Sequence, residues 1–341
     1  MTQDVTQVAE PAAAVPAGAQ LTYGEAVRAA LRRCLEEIPE TLFYGEDVAL
    51  PGGVFGVTRG LCKQFGERVF DTPISESAIL GSAVGAAMLG RRPIVEIMWI
   101  DFSLVALDQI VNQLANVRYV SRGELTAPVV IRTQQGISPG ACAQHAQNLE
   151  AFFLHVPGLR VAMPSTAQDA YDILVAAVYS DDPVLVIENR TLYTGPKQTV
   201  VLDGPAGAVG GSRVRRAGTD LTLVVWGAMS AKALAAAEAV SAEGIDVDVI
   251  ETPWLNPFPT QDILDSVRRT GRLLVVHEAN VTGGFGAEVV ARVSEAGIPL
   301  ASPARRVGVP DSRIPAAPLL AGALVPSAER IEAEIRALVR G

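Results

Sequence analysis

Residues 91–136 read RRPIVEIMWIDFSLVALDQIVNQLANVRYVSRGELTAPVVIRTQQG, and this stretch decides the fold class. Two short apolar runs of strand length flank residues 103–120, where apolar residues recur at helical spacing and predict one helix. A strand, a helix and a strand in this order form the repeating unit of a parallel sheet. We therefore predict an α/β fold in which helices cover a parallel sheet.

The same alternation of strand and helix patterns runs through residues 21–195 and again, more briefly, through residues 219–341. It begins with a helix that Thr22 can cap. Residues 196–218 are rich in Gly and turn residues, as is typical of a linker. We therefore expect two α/β domains joined by this linker. Residues 1–20 carry several Ala and Pro but no Lys or Arg, and we expect a disordered tail there.

Charge and hydropathy exclude several classes of function. The 341 residues have a net charge of -9 and contain no basic block, so we expect neither a nucleic acid nor an anionic membrane as partner. No apolar run approaches the roughly 20 residues of a membrane span. Three cysteines, Cys34, Cys62 and Cys142, show no C-x-x-C spacing, so neither a zinc site nor a disulfide framework is indicated. A reducing cytoplasm is the expected location.

Glu76 stands out because it precedes the apolar stretch SAILGSAVGAAMLG, residues 77–90. An acid in the first turn of a helix interacts favourably with the helix dipole, and this alone would explain Glu76. The stretch also places small residues at Gly81, Ala83 and Gly85, which let a backbone or a flat ligand approach closely. The residues alone leave open whether Glu76 starts a helix or belongs to a binding site.

His145 is one of three histidines and follows Gly136 and Gly140 in a predicted loop. A loop histidine is often only a solvated side chain, so a catalytic role stays open on this evidence. Met98 and Phe102 lie in the second half of the predicted strand of residues 91–102. Core packing is one explanation for both of them, and contact between an aromatic face and a ligand is another for Phe102.

Several motifs occur together and in consistent order over about residues 20–310: YGEDV, GGVFGVTRGL, RVFDTPISE, RPIVEIMWIDF, DQIVNQ, HAQNLEAFFLHVPGLRV and TGRLLVVHEANVTGGFGAE. In this combination the chain resembles the beta subunit of the thiamine-diphosphate-dependent decarboxylase component of 2-oxo acid dehydrogenase complexes. It looks closest to the acetoin and branched-chain members. The resemblance implies a pyrimidine-binding domain followed by a smaller transketolase C-terminal-like α/β domain, with thiamine diphosphate as cofactor.

The resemblance also assigns roles to individual residues. It implies that Glu76 hydrogen-bonds the ring nitrogen N1′ of the cofactor's aminopyrimidine and so promotes the proton transfer that activates the cofactor. His145 would bind the substrate-derived group at the mouth of the site and assist its transfer to a lipoyl group. Phe102 would stack on the aminopyrimidine, and Met98 would contact the cofactor. Glu46, otherwise a candidate solvated loop acid, would lie in a buried acidic path near Glu76.

Two ions and a partner subunit follow from the same resemblance. It implies a structural potassium ion at Val129, Ala177, Val178 and Asp182, although Asp181 and Asp182 alone resemble surface acids. Relatives hold the diphosphate and Mg²⁺ with a Gly-Asp-Gly tripeptide, which this chain does not contain. An alpha subunit would therefore hold the diphosphate and Mg²⁺ in an α2β2 heterotetramer.

We thus expect a beta subunit that helps to decarboxylate a 2-oxo acid or cleave acetoin and passes the acyl group to a lipoyl acyltransferase. Three features depart from the family: Ala146 replaces the usual Ser after the histidine, Val105 stands where a polar residue is common, and residues 309–320 lack the usual Tyr. Ala146 and Val105 keep open an acyloin-forming or carrier-protein-acylating enzyme of specialised metabolism.

A non-catalytic paralogue that stabilises a partner is a third alternative. The presence of Glu76, His145 and Phe102 together argues against it.

Overall fold

The computed structural model describes residues 18–138 and 140–341. Most of the expected disordered tail, residues 1–17, lies outside the described residues. Strands and helices alternate through both halves of the chain, which confirms the predicted α/β fold class. Within the described part of the chain, no helix is long and apolar enough to cross a membrane.

The elements of the N-terminal half are, in chain order, β1 Ala19–Leu21, α1 Tyr23–Glu37, β2 Thr41–Gly45, α2 Leu61–Phe65, β3 Val69–Asp71, α3 Glu76–Met88, β4 Arg92–Ile97, α4 Val117–Val120, β5 Val130–Gln135, α5 Glu150–Leu154, β6 Arg160–Ala162, α6 Ala167–Tyr179, β7 Val184–Asn189 and β8 Gln198–Val200. Those of the C-terminal half are β9 Arg213–Arg216, β10 Leu221–Val225, α7 Met229–Ser241, β11 Val247–Glu251, β12 Trp254–Asn256, α8 Thr260–Thr270, β13 Leu273–Asn280, α9 Gly286–Glu295, β14 Arg305–Val309, α10 Pro318–Leu324 and α11 Ala328–Arg340.

Two large sheets organise these elements. The first has the order β12-β6-β7-β5-β4-β2-β3, and all its neighbours are parallel except β12, which runs antiparallel to β6. The second has the order β14-β13-β10-β11-β9, with β9 antiparallel at its edge. The carboxyl ends of the parallel strands share one edge of the first sheet. Residues that follow β2, β4, β5 and β7 therefore meet there.

Helix α1 begins as the sequence predicts. The Thr22 hydroxyl accepts a hydrogen bond from the Glu25 amide at 3.2 Å, and the Glu25 carboxylate accepts one from the Thr22 amide at 2.9 Å. This reciprocal pair satisfies two amide groups that the first turn would otherwise leave without acceptors. The apolar face of α1 then packs on α6.

The single helix predicted over residues 103–120 is wrong. The chain instead forms a 3₁₀ turn at Ile100–Leu104, a π-helical turn at Gln109–Gln113, a second 3₁₀ turn at Leu114–Asn116 and the short helix α4. The Asp108 carboxylate accepts a hydrogen bond from the Asn112 side chain at 2.8 Å. Such local polar bonds, together with β-branched valines, weaken a regular helix. The apolar spacing still places Ile110 and Leu114 in the core.

The segment expected as a linker contains two short strands. Strand β8 pairs antiparallel with β1, and β9 forms the edge of the second sheet. Strand β12, from the C-terminal half, extends the first sheet. One apolar core cluster includes Met163 from the N-terminal half and Trp226 and Leu255 from the C-terminal half. The two halves therefore pack on each other through buried apolar side chains.

Candidate active site

Glu46 and Glu76 lie at the carboxyl edge of the first sheet. Glu46 follows β2 and is 8% exposed, and Glu76 opens α3 and is 7% exposed. Burial raises the pKa of Glu46, and the negative charge of Glu76 raises it further. The Glu46 Oε1 atom is enclosed without a hydrogen-bond partner among the described residues. Glu46 is therefore a buried acid beside Glu76 and not a solvated loop residue.

Phe102 and His145 meet across the same region. Their ring centres are 5.5 Å apart and their planes stand at 83°. The Ser77 hydroxyl donates a 2.8 Å hydrogen bond to the Val105 carbonyl, which ties the first turn of α3 to the turn that carries Phe102. Met98 is half-buried directly after β4. The fold thus brings together residues that the sequence supplies from separate motifs.

Trp99 forms part of the site, and the sequence reasoning missed it. Its ring lies 5.5 Å from His145 and 5.3 Å from Phe55. The Trp99 backbone has φ 67°, a left-handed conformation that is strained for a bulky residue and that clusters at functional sites. The guanidinium carbon of Arg190 lies 4.4 Å from the Trp99 ring centre. Arg190 was also missed, although both residues lie just beyond buried strands of the first sheet.

A buried ion-pair network supports this edge of the sheet. The guanidinium of Arg132 bonds to Glu96 at 2.6 Å and to Glu188 at 2.7 and 2.8 Å. The Gln134 side chain donates to Glu96 at 3.1 Å and accepts a 3.3 Å bond from the Trp99 amide. Because every member has a partner, the network can fix the backbone that carries Trp99.

The loop that carries His145 is fastened from both halves of the chain. The Gln147 side chain donates to Asp101 at 3.0 Å and accepts a 3.0 Å bond from Arg313. The Glu278 carboxylate, from β13, accepts a 2.6 Å bond from the Ile137 amide. Burial raises the pKa of Glu278. Sequence reasoning missed these fastenings because Arg313 and Glu278 are far from His145 in the chain.

Ala146 follows His145 and is 2% exposed. It belongs to a small apolar cluster with Ile137, Val309, Ile314 and Ala321. A methyl group suits this environment, whereas a buried hydroxyl would need a hydrogen-bond partner. The departure at Ala146 is therefore matched by apolar residues in and beside the unusual segment 309–320.

The residues expected to bind potassium lie at the opposite edge of the first sheet, before β5, at the end of α6 and before β7. They are Val129, Ala177, Val178 and Asp182. Arg92 donates to the Val178 carbonyl at 2.8 Å, and Arg118 and Arg160 pair with Asp182 at 2.7 and 2.9 Å. The Val178 carbonyl and the Asp182 carboxylate are therefore already engaged by arginine donors, and in this arrangement they do not suit a potassium ion.

Metal-ligating side chains do not cluster elsewhere in the described residues. No group of three or more His, Cys, Asp or Glu in residues 18–138 and 140–341 could hold a metal ion.

Comparison with known proteins places both halves in one family. Residues 19–196 match the family described as transketolase, pyrimidine binding domain, and residues 210–331 match transketolase, C-terminal domain. A solved structure described as split gene transketolase, inactive beta4 tetramer, matches with a TM-score of 0.78 and 25% identity, covering 94% of this chain and 99% of that one.

Two curated relatives are similar over most of their length. The chain is 37% identical over 339 residues to the acetoin:2,6-dichlorophenolindophenol oxidoreductase subunit beta of Cupriavidus necator, covering 94% of this chain and 98% of the relative. It is 39% identical over 299 residues to the pyruvate dehydrogenase E1 component subunit beta of Bacillus subtilis, covering 87% and 92%. The chain therefore belongs to the transketolase family, in the group of dehydrogenase beta subunits that these two relatives represent.

Proposed function

We propose that the chain is the beta subunit of a thiamine-diphosphate-dependent dehydrogenase that decarboxylates a 2-oxo acid or cleaves acetoin. A lipoyl acyltransferase would accept the acyl group. The observation that carries this proposal is the buried pair Glu46 and Glu76 at the edge of the sheet where Phe102 and His145 meet. Acids, an aromatic face and a histidine at one edge suit proton transfer on a bound heteroaromatic cofactor.

The residues fit the aminopyrimidine half of thiamine diphosphate. When bound, the cofactor supplies the electron sink for carbon–carbon bond cleavage. Glu76 would hold a proton at the ring nitrogen. The Oε1 of Glu46, which accepts no hydrogen bond from the part of the chain that the structure describes, offers a second proton site. Phe102 would stack on the ring, and Met98 would contact it. His145 would orient the substrate-derived group.

An alpha subunit would complete the enzyme as an α2β2 heterotetramer and hold Mg²⁺ with the diphosphate. Both curated relatives are named as beta subunits. Ile74, Leu89 and Val105 are exposed apolar side chains on or beside α3. Exposed apolar groups of this kind favour coverage by a protein partner.

The three cysteines are free thiols, which supports the expected cytoplasmic location.

Co-expression with the alpha subunit tests the proposal. The assembled complex, with thiamine diphosphate and Mg²⁺, should reduce an electron-accepting dye in the presence of pyruvate, a branched-chain 2-oxo acid or acetoin. Activity should require both chains and the cofactor. An assembled, cofactor-loaded complex that is inactive with all three substrates would overturn the proposal, and failure to bind the cofactor would favour a non-catalytic paralogue.

A further inference from the structure

Arg190 carries a buried guanidinium that has no hydrogen-bond partner among the described residues. The residue is 7% exposed, and its Nε and Nη2 atoms are both enclosed without an acceptor. Burying an ionised group without a partner is costly, so proteins rarely keep one that has no function. Arg132 gives the contrast within the same sheet, because its buried guanidinium is paired with two carboxylates.

The position of Arg190 points to the active site. It directly follows β7, at the carboxyl edge of the first sheet, where ligands of open α/β sheets bind. Its guanidinium lies over the Trp99 ring, and the Trp99 and His145 ring centres are 5.5 Å apart with their planes at 78°. One aromatic side chain therefore separates the unpaired cation from the proposed catalytic histidine.

The acids whose charges act on Arg190 do not satisfy it. Burial lowers the pKa of Arg190, and the charges of Asp101 and Glu278 oppose this effect. The Asp101 carboxylate accepts a hydrogen bond from Gln147, and Glu278 accepts one from Asn189 at 2.7 Å. Both acids are thus engaged with other donors, and neither hydrogen-bonds the guanidinium.

The free atoms of Arg190 are the pair that grips a carboxylate. Arg132 uses the same two atoms, Nε and Nη2, to hold both oxygens of Glu188 at 2.7 and 2.8 Å. This planar, two-bond geometry makes arginine selective for carboxylates. In Arg190 the equivalent pair is vacant among the described residues. A carboxylate ligand would supply the missing acceptors and neutralise the charge.

We propose that Arg190 binds the carboxylate of the substrate and so selects a 2-oxo acid over a neutral acyloin such as acetoin. The inference deepens the proposed function, because calling the ligand a substrate rests on that function. The carboxylate site itself rests only on the geometry of Arg190. Because Nε and Nη2 are enclosed, nearby side chains must move when the ligand binds, as interface side chains commonly do.

Equilibrium dialysis of labelled pyruvate and labelled acetoin tests this site directly. The protein is the assembled complex with the alpha subunit, without thiamine diphosphate, so that no turnover occurs. Arg190→Gln should weaken pyruvate binding at least about tenfold, the loss expected for a hydrogen-bonded charge. Arg190→Lys should bind pyruvate with intermediate affinity, because lysine keeps the charge but cannot form the planar pair of hydrogen bonds. Arg305→Gln, which removes an exposed arginine from β14, is the control and should bind pyruvate like the wild type.

Thermal unfolding separates ligand binding from a structural role. Arg190→Met removes an unpaired buried charge, so its Tm should equal or exceed that of the wild type. A lower Tm combined with unchanged pyruvate affinity would assign Arg190 a purely structural role and overturn the proposal. Equal losses of pyruvate and acetoin binding, or a wild-type complex that does not bind pyruvate, would overturn it as well.

The outcome is independent of the proposed reaction. Pyruvate binding that depends on Arg190, in a complex that never cleaves any substrate, would retain the carboxylate site and reject the dehydrogenase function. Decarboxylation of pyruvate with an affinity that Arg190 variants do not change would retain the dehydrogenase function and reject the carboxylate site.

Discussion

The guanidinium of Arg313 donates a 3.0 Å hydrogen bond to the side-chain oxygen of Gln147, two residues after His145. Gln147 also donates to Asp101, which lies beside Phe102. Arg313 belongs to residues 309–320, where the sequence departs from the family. The departing segment therefore helps to hold the loop that carries the proposed catalytic histidine.

Replacing Arg313 tests whether its hydrogen bond to Gln147 holds the His145 loop in place. Arg313→Met should speed deuterium exchange in residues 140–148 and lower kcat/KM of the assembled enzyme. The Tm should change little, because Arg313 is exposed and a single hydrogen bond contributes about 1 kcal/mol. Arg305→Met, which breaks an ion pair with Glu334 in the C-terminal half, is the control. Unchanged exchange in residues 140–148 of the Arg313 variant would rule out this role of the hydrogen bond.

Local sequence signals predict much of the fold. Helix α1 depends on Thr22 and on apolar spacing within its own fifteen residues, and the sequence predicts it correctly. The apolar spacing of residues 103–120 predicts one helix. The structure has irregular turns there instead, because the turns depend on side-chain bonds such as that to Asp108 and on the left-handed Trp99 before them. Strand β12 exists only because β6, far away in the chain, offers it an edge.

The site likewise combines residues that sequence motifs indicate with contacts that only the fold brings about. Motif resemblance identified Glu76, Phe102 and His145 as candidates, and the fold places Phe102 against His145. The stacking of Arg190 on Trp99 joins two loops that follow different strands, and no spacing in the sequence indicates it. Residue type alone could not show that the buried guanidinium of Arg190 has no hydrogen-bond partner within residues 18–138 and 140–341.

His277 predicts a pH-dependent stability. It is fully buried against Trp226, with ring centres 5.3 Å apart, and Nδ1 lies 3.1 Å from the Ala279 carbonyl oxygen. Burial lowers its pKa to about 4. The unfolded chain, with a histidine pKa of about 6.5, therefore takes up a proton first as the pH falls. The stability due to neutral His277 is complete above about pH 6.5 and falls by about 3 kcal/mol by about pH 4.

Urea unfolding of His277→Phe measures this contribution. The variant keeps an aromatic ring against Trp226 and cannot titrate. The free energy of unfolding of the wild type minus that of the variant should decrease by up to about 3 kcal/mol between about pH 7 and about pH 4. His155→Phe, at an exposed histidine, should keep the wild-type pH dependence. A difference that does not vary with pH would contradict the account of His277.

Potassium should not stabilise this chain. Arg92 donates to the Val178 and Ser180 carbonyls, and Asp182 is already paired with arginines. Exchanging KCl for NaCl at equal ionic strength should therefore leave the Tm unchanged. Arg92→Met should lower the free energy of unfolding by about 1–3 kcal/mol because it leaves two carbonyls without their donor. Arg91→Met, at the exposed neighbouring position, is the control. A potassium-specific rise in the wild-type Tm would contradict this prediction and indicate that potassium binds at this edge of the sheet.

Glu76→Gln tests the central claim most directly, in cofactor-dependent turnover by the assembled complex. The amide keeps the size of the side chain but cannot share an acidic proton with the cofactor ring. Turnover should fall by at least about a hundredfold, the lower range for lost acid–base catalysis, while assembly and Tm stay close to those of the wild type. Glu67→Gln, at an exposed acid, should be fully active. Wild-type turnover by Glu76→Gln would contradict the assignment of this edge of the sheet as the active site.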